Sequence, residues 1–219
     1  MVKAKEKGRI YPKKNGDRNF MNTIILTYRN STKRIIDWQT NQNTTTKFLL
    51  SIVFSCLTGI FAQLRIQLPF TPVPITLQTV AVLGSGIFLG PIFGCLAQFF
   101  YVLLGASCID WFTGRTGDLQ SLLGPTGGYL IGFIIASFAA GFLREKLITD
   151  KFSMKNFFVI LIAINFLLIY IPGILQLFFW YKIAEGEILT MNALLIKGVI
   201  PYIFGDLLKI TALTIYAKF

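Results

Sequence analysis

The chain has no histidine in 219 residues, only ten acidic residues, and three cysteines without a CxxC spacing. Each scarcity removes a class of function. Without histidine there is no imidazole to act as a general base near neutral pH, and the zinc motif HExxH cannot occur. Gly84-Ser85-Gly86 lies in an apolar run with none of the strand-to-helix context that exposes a serine nucleophile. No GxxxxGK[ST] phosphate loop is present, which removes the usual route to ATP hydrolysis. Asp206 is the only acid within an apolar run, whereas an intramembrane aspartyl protease needs two. The sequence therefore reads as a non-enzyme with no cofactor and no metal site. Cys56, Cys95 and Cys108 are odd in number and read as packing residues.

What is present is mostly apolar: 54% of residues are hydrophobic and 15% aromatic. Runs of about 17–25 apolar residues cross a bilayer. Six such runs, 48–64, 75–90, 91–107, 127–143, 157–179 and 196–217, predict an all-α membrane protein with six transmembrane helices in one bundle. Gly90-Pro91 marks a turn between the second and third runs. Pro172-Gly173 predicts a tolerated kink inside the fifth. Loop one, RIQLPFTPVP, is too rich in proline to be a helix. Loop three, residues 108–128, carries Trp111 and Phe112 beside several glycines. Those two aromatics read equally as an interfacial belt or as a pocket lid, and the belt is an even choice for Trp180.

The net charge of +11 is spread unevenly. Residues 1–47 hold eleven Lys and Arg against Glu6, Asp17 and Asp37, and show no sustained apolar face. This segment is expected to be a disordered, cytoplasmic extension of a membrane domain at 48–219. Its charge is a positive-inside signal better than a nucleic-acid site. Arg144, Lys146, Lys151 and Lys155 fall on the same side, whereas the opposite side holds Arg65, Arg115, Lys182 and Lys197. That asymmetry predicts two cytoplasmic termini and a multi-pass protein of the plasma membrane.

Small residues recur every fourth position. Ser51, Ser55 and Gly59 do so in the first run, Gly86, Gly90 and Gly94 around the second turn, and Gly128, Gly132, Ala136 and Ala140 in the fourth run. Such stripes let helix backbones approach closely. Packing inside the bundle is the expectation for the fourth run. The first-run stripe leaves two readings open, packing or contact with another membrane subunit.

Asp206 and Lys209 are charges placed inside a long apolar run. A charge at the bilayer centre costs about 2.5–3.5 kcal/mol on insertion scales. At spacing i, i+3 the two share one helical face. From the residues alone they are either the polar contacts of a ligand site or a structural pair in a membrane scaffold.

Three motifs in order, PFTPVPITLQT (69–79), GPTGGYLIGF (124–133) and FGDLLK (204–209), resemble the BioY family. These are the biotin-specific substrate-binding subunits of energy-coupling-factor transporters. The resemblance runs from about residue 48 to the end of the chain. It implies a six-helix protein that takes biotin from outside and delivers it through a transmembrane coupling subunit (T component) and two ATPases. It also implies that Asp206 and Lys209 bind biotin's polar ring, the carboxylate accepting ureido N–H groups and the ammonium donating to the ureido carbonyl. A family asparagine of loop three aligns with Thr116, with Arg115 beside it for the valerate carboxylate. Gln78 and Tyr129 within the motifs, and Phe112, complete the expected substrate-binding set. Small residues of the first helix meet the coupling subunit in the family, which points to Ser51, Ser55 and Gly59.

Overall fold

The computed structural model describes residues 41–149 and 153–217, with the side chains of 147–149 excepted. Residues 1–40 of the segment expected to be disordered lie outside the described residues. The first helix, α1 (Thr44–Gln63), starts four residues before the expected boundary, because the Asn43 side chain caps it by accepting from the Thr46 amide at 2.8 Å. A two-residue hairpin follows, β1 (Arg65–Ile66) pairing antiparallel with β2 (Ile75–Thr76). The expected second helix is therefore shorter than 75–90: α2 spans Gln78–Leu89. Next come α3 (Pro91–Ser107), a single turn α4 (Leu119–Leu122) and the long α5 (Gly127–Thr149).

The fifth run is one continuous rod of alternating α and π stretches. α6 (Met154–Ala163) widens into a π-helical stretch (Ile164–Ile169) and tightens again into α7 (Tyr170–Trp180). A second π stretch, Tyr181–Glu185, ends it. The last run, expected as one helix over 196–217, is broken. α8 (Met191–Gly198) leads through a 3₁₀ turn (Ile200–Tyr202) into α9 (Ile203–Ala217). Pro201 causes the break, since it has no N–H to return to the Lys197 carbonyl.

α5 lies at the centre, packed against α2, α3, α7 and the π stretch. Glycine makes these approaches possible. A Cβ on Gly86 would fall on the Ser137 carbonyl of α5, and one on Gly94 would lie 2.6 Å from the Gly86 Cα. On the other side of α5, a Cβ on Gly128 would meet the Pro172 carbonyl, and Ala136 and Ala140 have no exposed surface. Close packing thus accounts for the fourth-run stripe. Gly90, at φ 83°, is both the end of α2 and the start of α3, a conformation that favours glycine.

The stripe on α1 requires a correction. Ser51 and Ser55 are fully buried, and Gly59 is buried beside them. The Ser51 hydroxyl donates to the Phe93 carbonyl of α3 at 2.9 Å, and a Cβ on Gly59 would come within 3.0 Å of the Trp111 ring. These residues are small because α3 and loop three approach them, so the face is already filled by the chain itself. The outward face of α1 is instead large and apolar, with Ile52, Val53 and Ile60 exposed. Exposed Ile92, Val159, Leu175 and Phe204 continue this surface around the bundle, as a hydrocarbon solvent allows. Among the described residues, three helical segments, Thr44–Gln63, Gly127–Lys146 and Met154–Glu185, are long and apolar enough to cross a membrane, and Gln78–Leu89 and Pro91–Ser107 are shorter apolar helices.

Candidate functional site

Asp206 stands in the first turn of α9, where the positive end of the helix dipole favours a carboxylate. It is 2% exposed, and a charge so buried requires partners. Lys209, one turn later, donates to Asp206 Oδ1 at 2.8 Å, to the Thr76 carbonyl at 2.6 Å and to Thr79 Oγ1 at 3.1 Å. Thr79 in turn donates to Asp206 Oδ1 over 3.3 Å. The other oxygen, Oδ2, accepts from Asn165 Nδ2 at 2.8 Å and from the Tyr170 hydroxyl at 2.7 Å. A carboxylate has about four lone-pair positions, so all are engaged. The longest of the four contacts, from Thr79, is the one that a ligand N–H would most easily replace.

Asn165 and Tyr170 reach Asp206 together because of the π stretch between them. At about 100° per residue, positions five apart on an α-helix lie about 140° apart. Bonding from i to i+5 widens the turn and brings such residues nearly onto one side. The Asn165 Oδ1 atom is buried without a hydrogen-bond partner among the described residues.

Asp206 and Lys209 line a cavity of about 520 Å³, counting its open mouth. Val73, Leu130, Phe133, Ile169 and the rings of Tyr129, Tyr170 and Tyr202 supply its walls. Small-molecule sites have this character, an apolar cleft with few polar groups. Gln78 and Tyr129, both expected from the sequence, are part of the lining. Gln78 accepts from Thr76 and Thr113 at 3.0 and 3.1 Å and donates to the Tyr101 hydroxyl at 2.8 Å, tying the hairpin to loop three. The Tyr129 hydroxyl donates to the Gly198 carbonyl at 2.9 Å, and its ring fills the space that a Cβ on Gly173 would need.

The other three expected residues stand elsewhere. Thr116 lines a separate vestibule of about 940 Å³, counting the open solvent at its face, which shares Pro74, Thr113 and Thr126 with the inner cavity. Arg115, at φ 58°, opens on a different surface cleft with Asp110, Cys56 and Gly59. Phe112 is 3% exposed and packs edge-on against Tyr101 at 5.5 Å, as part of the core. Trp111 is likewise anchored, its Nε1 donating to the Tyr101 carbonyl at 2.9 Å. Trp180 lines the vestibule. Asp118, also in the vestibule, caps α4 by accepting from the Ser121 amide, and that hydrogen bond holds its pKa below the usual carboxylate value.

Thr79, Asn165 and Tyr170 were not anticipated by the sequence reading. An amide in the middle of the apolar run around Asn165 is itself a signal, since polar side chains at membrane depth seek a specific partner. Tyr170 carries no such mark.

The Pro201 break builds the mouth. Thr71 Oγ1 donates to the freed Lys197 carbonyl at 2.7 Å. The Tyr202 amide bonds in 3₁₀ fashion to Val199, leaving the Gly198 carbonyl for Tyr129. The Tyr202 hydroxyl donates to the Val73 carbonyl at 2.6 Å. Loop one is thus fastened to the start of the last helix at Thr71 and at Val73.

Comparison with known proteins gives the same picture over most of the chain. The family model described as the BioY family matches residues 32–219. A probable biotin transporter BioY of Methanothermobacter thermautotrophicus is 41% identical, covering 58% of this chain and 80% of that protein. One from Pyrococcus horikoshii is 36% identical over 77% of this chain and 92% of its own length. The crystal structure of an S-component for biotin from an ECF-type ABC transporter superposes with a TM-score of 0.70 at 26% identity. That match covers 81% of this chain and 91% of the other. With a family match over most of its length and a shared fold around the cavity, the chain belongs to the BioY family.

Proposed function

We propose that this chain is the biotin-binding subunit of an energy-coupling-factor transporter, an integral membrane protein and not an enzyme. The observation that carries the reading is the buried Asp206–Lys209 pair set at the wall of an otherwise apolar cavity. A ureido ring presents two N–H donors and one carbonyl acceptor. Asp206 Oδ1 can accept from such a donor when Thr79 yields, and Lys209 can turn one of its three N–H groups from Thr76 to the carbonyl. The apolar wall of Leu130, Phe133, Ile169 and Tyr202 suits a fused sulfur-containing ring.

In this reading the chain crosses the membrane six times, with α2 and α3 as a short re-crossing pair and α8–α9 as the broken last crossing. Basic residues support cytoplasmic termini. Loops one and three then close the mouth on the outer side. Having no phosphate loop, the chain depends on a coupling subunit and two ATPases for energy. A second reading, a scaffold with a structural ion pair, draws on the fact that every acceptor position of Asp206 is already filled.

Equilibrium binding of labelled biotin to the purified chain separates the two. Asp206→Asn and Lys209→Met are each expected to weaken binding about 10–100-fold, since each leaves a buried partner and a ligand group unpaired. Folded variants that bind biotin like the wild type would establish the scaffold reading instead.

A further inference from the structure

Arg65 enters the sequence reading only as a charge in an outer loop. The structure gives it a defined seat. As the first residue of β1 it pairs with Thr76 of β2, and directly opposed residues of an antiparallel pair have Cα atoms about 4.5–5.5 Å apart. The Thr76 carbonyl is the group that receives Lys209 Nζ. Arg65 therefore begins one strand away from the ion pair, on the side of the mouth. Its guanidinium lies against Gly114 of loop three, where a Cβ would fall 2.5 Å from Nη1. Gly114 has φ 93°, so glycine is favoured there both by the backbone and by the arginine it accommodates.

Arg65 lines the vestibule that continues the inner cavity past Pro74, Thr113 and Thr126. It is the one cation among the described residues of that lining. The one acid there, Asp118, is committed to the α4 cap, and the only ion pair formed among the described residues of site and vestibule is Lys209–Asp206. An exposed guanidinium held by neighbouring backbone, with its fork unused, suits a carboxylate.

We propose that Arg65 selects ligands whose tail ends in a free carboxylate. The inference rests on the biotin reading: with the ring at Asp206 and Lys209, a saturated tail leads out past Thr113 into the vestibule and presents its carboxylate to the guanidinium. Arg65, rather than Arg115, is the residue that reads the ligand's charge.

The test compares biotin with its primary amide, binding each to the purified full chain by calorimetry. Wild type is expected to prefer biotin by about tenfold, the size of one charge-assisted contact near the surface. In Arg65→Gln the preference falls towards one while affinity for the amide stays as in wild type, which also shows that the variant is folded. Arg115→Gln keeps the full preference. An unchanged preference in Arg65→Gln, no preference in wild type, or loss of it in Arg115→Gln instead would each overturn the assignment. Binding of neither compound by the wild-type chain would remove the biotin reading and this inference with it, whereas tight binding of both with no discrimination would remove the inference alone.

Discussion

Two halves of this bundle use opposite devices. Around α1, α2, α3 and the C-terminal half of α5, helices are regular and meet through Ser51, Gly86, Gly94 and Gly141, residues with almost no side chain. Most of their polar groups pair helix to helix away from the cavity, as where Gln98 donates to Thr58 and Ser85 at 3.2 and 3.1 Å, while the buried Ser55 hydroxyl has no partner among the described residues. Around the rod of α6 and α7 and the pair α8–α9, the backbone is irregular, with a π stretch in one and a proline break in the other. There the polar groups build the site and its mouth: Asn165 and Tyr170 reach Asp206, Thr71 reaches Lys197, and Tyr129 reaches Gly198. Regular backbone is used for packing, and interrupted backbone for the site.

The comparison breaks most visibly on the packed side. Gly86→Val places a branched side chain on the Ser137 carbonyl, with backbone on every side and no flexible neighbour to yield. A loss of more than about 4 kcal/mol is expected, enough to prevent accumulation of folded protein. Fluorescence-detected size-exclusion of the detergent extract checks it, and a monodisperse wild-type-like peak would show that α2 and α5 can part there.

On the irregular side the effect should fall on binding. Asn165→Leu removes one donor from Asp206 Oδ2 and leaves Tyr170 to hold it alone. Folding should survive, because the lost amide also takes its orphan acceptor with it. Biotin affinity should fall about tenfold, the usual size of a hydrogen bond to a charged group. A variant that fails to fold while Gly86→Val folds would reverse the division of labour.

The smallest effect sharpens the comparison. Thr71→Val deletes the clasp to Lys197 while keeping shape. It should cost about 1 kcal/mol locally and speed hydrogen exchange in 68–74 several-fold, with exchange in α3 unchanged. Equal exchange in loop one would mean that Tyr202 alone secures it.

The packed half was largely legible in the sequence. Gly90-Pro91 announces its turn because glycine supplies the positive φ and proline suits the first helical position. Asp206 and Lys209 announced themselves as charges in an apolar run. The α1 stripe was visible too, but small size says only that something approaches, and here it is Trp111 and α3. The distant partner of a contact was harder. Pro201 stands in plain sight, yet the carbonyl it frees is taken by Thr71, 126 residues earlier. Arg65 and Gly114 become partners only once the hairpin and loop three have folded against each other.

The clasp at Pro201 has a thermodynamic corollary. Because the same carbonyls that terminate α8 also secure loop one and Tyr129, lifting the loop takes the Thr71 donor from the Lys197 carbonyl and leaves it only the longer bond from Tyr202, just before the helix that carries Asp206. Entrance and floor therefore share a free-energy term, and by reciprocity whatever steadies one steadies the other to the same extent. A proline that interrupts one helix thereby links the mouth of the cavity to its binding wall.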